Sequence, residues 1–353
     1  MQNILIDELA DAVFRARPSH RVSFLMCIKQ QLGRTLRARI DSHNTNSVIF
    51  IIEYEGSQLL LKAEFGSNTA THKEADWYEH LGTMATMEQG LFLGSVCSDT
   101  FALVILRYVE GAITLDEWAL EHPAEHDIFG DWLLSMLEYD KTLFTLAART
   151  VPKETVASLL VSKYDARRKE AAAMQYLDSL FAKRHITINS QVYLTPDHVL
   201  KKLLSSKNIR EKLMPESVGF IHGDLHTGNA LIKNEALYYV DPNGSFELPL
   251  EYDIAKMLHS VQGLYPVIMR GAFEVVKVPR GGYDFEVKRE LIYSTAHQKL
   301  KNALDHEQYV RSVFIEAMHF VTMLSHHAKN QLETTALFLR SVQLFDELLA
   351  LLK

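Results

Sequence analysis

Strand-type patterning is concentrated in one stretch of this chain, and the period of its apolar residues changes after Gly111. From Ser47, SVIFIIEY and QLLLKAEF are β-branched or apolar runs separated by Glu55-Gly56-Ser57, the pattern of two strands joined tightly. THKEADWYEHLGTM follows, with Ala75, Tyr78 and Leu81 at helical spacing and Gly82 where a helix can end. LFLGSV and FALVILRYV read as two further strands, the second bounded by Glu110-Gly111. Beyond this point TLDEWALEH, DIFGDWLLSMLEYDKTLFTLAA and SLLVSKYDARRKEAAAMQYLDSLFAKRH repeat apolar residues at i, i+3 and i+4. Strands first and helices later specify an α+β chain, and 353 residues suit two lobes of roughly 150 residues each.

The remaining segments are read more simply. Residues 1–40 have near-helical apolar spacing broken at Pro18, which predicts a helical extension over 1–46. The stretch KVPRGGYDFEV, 277–287, reads as a loop or insertion.

Composition narrows the function classes. A net charge of −7 with a pI near 6.1 gives no electrostatic drive toward nucleic acid or anionic membranes. No run reaches the roughly 18 apolar residues of a membrane span, and the acidic start at Asp7 and Glu8 is unlike a signal peptide. Cys27 and Cys97 both sit in apolar contexts, which predicts buried thiols, and together these features predict a soluble cytoplasmic protein. Sixteen histidines occur without an H-E-x-x-H pattern, and the pair His326-His327 reads as structural on an apolar helix. No G-x-x-x-x-G-K-[ST] loop is present.

One segment interrupts the helical half. In GFIHGDLHTGNALIKNEALYYVDPNG, two short apolar runs, ALI and LYYV, surround a turn, as in a small hairpin. Asp224 and Asp241, beside Gly223 and Pro242, are in part what any loop uses to turn. The run His222 to Asn229, however, matches H-G-D-x-x-x-x-N, a coincidence expected on the order of once in a thousand such chains. Lys62 lies inside the apolar run LLLKAEF, where it either marks a solvent face or meets a buried anion.

These residues resemble the aminoglycoside phosphotransferase and choline kinase families, which share the bilobal protein-kinase-like fold. The resemblance covers about Ser47 to Ser260. It implies a strand-rich ATP-binding lobe over 47–108, a helical lobe over 109–353, and a site between them. The implied activity is transfer of phosphate from ATP, with Mg²⁺, to a hydroxyl of a small molecule: a sugar, sugar alcohol, amino alcohol or aminoglycoside. In that reading Asp224 orients the acceptor hydroxyl and takes its proton, while Asn229 and Asp241 are the oxygen ligands of Mg²⁺.

Lys62 would meet the α- and β-phosphates with Glu74 as its carboxylate partner and Glu79 in reserve. Backbone groups of Tyr108 and Val109, in RYVEG, would meet the adenine. His222 and Asp253 would hold the loop, although Asp253 also stands where an acid caps a helix. The place of a phosphate-covering loop, ARIDSHNTNSVIF, has no glycine, which keeps open a non-catalytic, nucleotide-binding pseudokinase. Within the family, IHGDLHTGNALI, VDPNG and EYDIAKMLHSVQG look most like the branch associated with capsule or surface-polysaccharide synthesis.

Overall fold

The computed structural model describes residues 47–54, 57–83, 91–243, 245–279 and 281–353. The extension expected over 1–46, with Cys27 and most of the glycine-free loop, lies outside them. The chain divides into two compact units. Of the described residues, those up to Ile113 form one together with those between Leu231 and Gly244, and those of Thr114–Ala230 and Ser245–Lys353 form the other.

The first unit is built on strands β1 (Val48–Tyr54), β2 (Ser57–Phe65), β3 (Phe92–Ser98) and β4 (Phe101–Arg107), antiparallel in the order β1-β2-β4-β3. Because side chains alternate across a strand, Leu59, Leu61 and Ala63 of β2 join Phe50, Leu103 and Ile105 in an apolar cluster on one face. Lys62 and Glu64 necessarily face the other way. That face carries helix α1 (Ala70–Thr83), whose first turn is fastened by Thr71, its N–H and hydroxyl both donating to the Glu64 carboxylate at 3.1 Å. Buried Trp77 and Tyr78 complete the contact, Tyr78 stacking on Phe92 at 5.2 Å between centroids.

Strands β10 (Ala230–Lys233) and β11 (Ala236–Tyr239) form the small hairpin, turned through Asn234 and Glu235 at φ of 48° and 61°. Two consecutive positive φ values are what a two-residue turn needs to match strand twist. Cys97 departs from expectation. It points outward from β3 and is exposed, because the alternation that buries Val96 turns the next residue away.

The two-residue strand β5 (Ile113–Thr114) leads into the helical unit. Helix α2 (Leu115–Glu121) starts there because Thr114 and Glu117 cap it reciprocally, the Glu117 N–H donating to the threonine hydroxyl at 3.1 Å and the Thr114 N–H to the glutamate at 2.8 Å. Next come α3 (His126–Leu146), strand β6 (Arg149–Thr150), α4 (Lys153–Ala172) and α5 (Gln175–Phe181). The stretch read as one helical run is thus two helices, parted at Met174, which is extended.

Strands β7 (His185–Ile188) and β8 (Gln191–Leu194) precede α6 (Pro196–Ser205), α7 (Lys207–Leu213) and β9 (Ser217–Ile221), which lies between β12 (Ser245–Leu248) and β6. The unit closes with α8 (Leu250–Val261), α9 (Tyr265–Met269), β13 (Phe273–Val278), β14 (Gly282–Val287), α10 (Leu291–Asn302), α11 (His306–Thr322) and α12 (Gln331–Leu351).

Helix α8 is buried almost all round, packed on α11, which in turn packs on α12, while α10 packs on α3. Phe129, Tyr293, Phe314, Phe320 and Phe338 fill these contacts; full burial of such a side chain stabilises by roughly 1.5 to 3 kcal/mol. The segment read as a loop, 277–287, is instead the second half of a hairpin. Its β14 runs parallel to β7 in a sheet of order β13-β14-β7-β8. The β-branched and aromatic residues on each side of Gly281, at φ 81°, outweigh the loop-like Pro279. His326 and His327 also differ from expectation, since α11 ends at Thr322 and both lie in the turns before α12.

Candidate active site

In the first unit Lys62 lies in the middle of β2, paired in register with Ile49 and Val104, and its side chain is 12% exposed. Its ammonium is 2.7 Å from Glu74 of α1, a residue 2% exposed. It also bonds directly to the carboxylate of Asp241, two residues past β11. Burial works against the Lys62 charge, but the two carboxylates outweigh it and hold the ammonium above its ordinary pKa. Glu74 is pushed up to about 7, by burial first, with Lys62 opposing.

Glu79 is exposed and instead accepts the Ser95 hydroxyl at 2.5 Å. Asp241 sits at φ 62°, a conformation that costs a side-chain-bearing residue energy and has to be held by its surroundings. Tyr108 donates its N–H to the Gln58 carbonyl at 3.0 Å, and Val109 accepts the Ala112 N–H at 3.1 Å. The Tyr108 N–H is thus tied to β2 and the Val109 carbonyl to the turn that follows.

In the helical unit the loop after β9 is held by buried carboxyls. Asp253, fully buried in the first turn of α8, accepts the Gly223 N–H at 2.8 Å and the Leu225 N–H at 3.1 Å. Pro249, not Asp253, is the N-cap. Asp140 of α3, also fully buried, lies against Asp253 and the backbone of His222. Burial, and for Asp140 also the neighbouring Asp253, lift both carboxyls above the ordinary range, while His222 and the Gly223 and Leu225 N–H groups oppose the rise at Asp253. His222 is itself fully buried beside Asp253.

Gly223 takes φ 80°, which glycine allows without strain. Thr227 is tied twice, its N–H to Ser260 at 3.2 Å and its hydroxyl to Asp116 of α2. Gly228 leaves no room for a side chain, since a Cβ there would come within 2.9 Å of the His226 ring.

This scaffold presents Asp224, whose side chain is 32% exposed. The amide of Asn229 donates to the Asp224 carbonyl at 2.9 Å and its carboxylate at 3.3 Å. With its nitrogen so committed, the Asn229 side-chain oxygen is left as an acceptor. Lys256 of α8, 14% exposed, sets its ammonium 2.8 Å from the other Asp224 oxygen. Burial alone would raise the Asp224 pKa, but Lys256 and then His226 outweigh it and hold the carboxyl well below the usual range.

The structure therefore brings Lys62, Glu74 and Asp241 together in one unit, and His222, Asp224, Asn229 and Asp253 together in the other. Asp140, Asp116, Ser260 and Lys256 are additions that the motif does not announce. Asp140 had one signal, an acid on the apolar stripe of Phe129, Leu133, Met136 and Leu143.

The sequence profile of the phosphotransferase enzyme family matches residues 37–274, well over half the chain. The chain belongs to that family. No curated protein matches it by sequence. Among solved structures, a thermostable mutant of aminoglycoside phosphotransferase APH(4)-Ia in ternary complex with AMP-PNP and hygromycin B is similar over 90% of this chain and 96% of that one, with a TM-score of 0.52 and 11% identity. At that identity the likeness is one of fold, and it shows the phosphotransferase member to have the protein-kinase-like architecture. The spectinomycin phosphotransferase in complex with ADP and spectinomycin is 14% identical, covering 94% of each chain at a TM-score of 0.49. A choline kinase from Streptococcus pneumoniae is 12% identical, covering 92% of this chain and 99% of that one at 0.44.

Proposed function

We propose that this phosphotransferase is an ATP-dependent small-molecule kinase that phosphorylates an alcohol hydroxyl. The observation that carries the reading is Lys62. A lysine in a buried strand is held at once by Glu74 and by Asp241, a residue 179 positions away that follows the loop hairpin. A solvent-facing strand lysine has no need of two such partners, whereas a polyanionic phosphate donor needs an oriented, fully charged ammonium.

In this reading Lys62, steadied by Glu74, binds the α- and β-phosphates, and the Tyr108 carbonyl and Val109 N–H meet the adenine. Residues 47–108 serve as the nucleotide lobe, 109–353 as the acceptor lobe and 1–46 as a helical extension. Asp224, ionised and oriented by Asn229, receives the acceptor proton, and a general base of this kind supplies about 10²- to 10⁴-fold in rate. His222, Asp253 and Asp140 keep its loop in place.

Asn229 and Asp241 offer the hard oxygen donors that Mg²⁺ takes, and Mg²⁺ needs few protein ligands because it keeps several waters. When bound, the ion supplies charge neutralisation of the phosphates. Among the described residues no helix is long and apolar enough to cross a membrane, and a cytoplasmic site of action in surface-polysaccharide synthesis is part of the proposal.

Thermal unfolding with ATP and Mg²⁺ against ATP alone tests the reading. A ligand at 100 times its Kd stabilises by about 2.7 kcal/mol, so a metal-dependent rise in Tm is expected. Equal curves with and without metal would remove the magnesium assignment, and no response to nucleotide at all would remove the kinase. Normal Mg·ATP binding with no acceptor ever phosphorylated favours the pseudokinase.

A further inference from the structure

We infer that the acceptor received at Asp224 carries an anionic group and no ammonium, with Lys256 as the residue that selects it. The inference rests on the kinase reading above and decides among the acceptor classes it leaves open. A primary ammonium on an alcohol is recognised most directly by free carboxylates, and the carboxylates that the described residues place around Asp224 are all engaged. Asp224 itself is neutralised by the Lys256 ammonium at 2.8 Å. Asp116 is engaged by the Thr227 hydroxyl, with Arg270 also acting on its charge. Glu333 is bonded to the His327 ring at 2.5 Å and accepts from Asn330.

What the same surroundings do provide is donors. The Lys256 ammonium has three N–H groups, and its partner in the structure is one oxygen of Asp224. The side chain is 14% exposed, so most of its remaining donor capacity is shielded from water. His259, 1% exposed, has both ring nitrogens unpartnered and stacks on Tyr265 at 4.3 Å between centroids. His226 holds its Nε2 3.9 Å from the second Asp224 oxygen.

An ammonium entering this space meets Lys256 head-on in a place where water screens little, whereas a carboxylate or phosphate finds an ammonium already fixed beside the reacting hydroxyl. Both anions share the chemistry that Lys256 reads, and a matched set of probes separates them.

The test uses the full chain with Mg²⁺ and ATP, and four probes on one skeleton: glycerol, serinol, glycerate and glycerol 3-phosphate. Apparent affinity is read from thermal stabilisation and from ATP consumption. We expect glycerate or glycerol 3-phosphate to act at concentrations at least about tenfold lower than serinol, the better of the two identifying the anion. Removing the charge in Lys256→Met should abolish that ratio, and Lys256→Arg should keep it, which a merely structural lysine would not do. Should Lys256→Met not fold, the wild-type ratio and that of Lys256→Gln decide. Serinol acting as well as or better than the anions overturns the inference, as does an absence of response to all four probes. If the wild type shows no Mg·ATP stabilisation, the kinase reading itself has failed; if it binds Mg·ATP and prefers the amine, only the present inference has.

Discussion

Replacing Asp253 with alanine probes how the loop from His222 to Asn229 is held. The carboxylate is fully buried and accepts two backbone N–H groups, from Gly223 at 2.8 Å and Leu225 at 3.1 Å. A buried donor left without a partner costs about 1 to 3 kcal/mol, so two such donors give about 2 to 6 kcal/mol. Removing a carboxyl from a fully buried site offsets part of this, which places the expected loss near 3 kcal/mol.

With a urea m-value of about 3 kcal/mol/M, the midpoint should fall by about 1 M. Asp253→Asn keeps one acceptor oxygen and turns an N–H toward the other amide, so it should lose about half as much. Urea unfolding followed by fluorescence of Trp118 and Trp132, both in the helical unit, measures it. The Asp140→Asn and Asp253→Ala effects should also be non-additive, because Asp253 acts directly on the Asp140 carboxyl. An Asp253→Ala protein with the wild-type midpoint would refute the reasoning, since the two amides would then have no need of that carboxylate.

Asp241→Asn should weaken Mg²⁺-dependent use of ATP far more than it lowers stability, because Lys62 keeps its ion pair with Glu74; titrating magnesium at fixed ATP checks this, and unchanged turnover at limiting metal would contradict it. Lys62→Met should raise the concentration of ATP needed for half-maximal response at least about tenfold, read by nucleotide titration, and an unchanged value would detach Lys62 from the phosphates. His297 is held down to about 4, chiefly by burial, while its Nε2 bonds the Tyr309 hydroxyl at 3.1 Å. Its folded pKa lies below the unfolded value near 6.5, so its contribution is intact above about pH 6.5 and is lost as pH falls toward 4. Wild type should therefore lose up to about 3 kcal/mol relative to His297→Gln over that window, measured by unfolding at pH 7.5 and 4.5.

What could be read from the sequence follows from how loudly each residue breaks its local pattern. Lys62 is conspicuous as a charge in LLLKAEF, and Asp224 and Asn229 are fixed by spacing within one loop, so all three were nameable. The β2 alternation that buries Leu61 turns Lys62 toward α1, which is why a pattern of period two was enough to place it. Asp140 and Lys256 were not nameable as partners. Each is a single charge on a helix, and what makes it matter is a contact with a loop 80 or more positions away for Asp140, and with Asp224 of that same loop for Lys256. The β13–β14 hairpin was hidden for another reason, since Pro279 and Gly281-Gly282 imitate a loop while the strand pairing that overrides them comes from β7, in a different part of the chain. Cys97 was misplaced because an apolar neighbourhood in sequence says nothing about which face of a strand a residue takes.

The central claim is that Asp224 serves transfer to an acceptor hydroxyl. The most direct measurement is the single-turnover rate of phosphate transfer by wild type and Asp224→Ala to the best acceptor of the anionic probe set, with Mg·ATP binding measured in parallel. The account predicts Mg·ATP affinity within about twofold of wild type and a transfer rate lower by about 10²- to 10⁴-fold. Transfer by Asp224→Ala at the wild-type rate would contradict it.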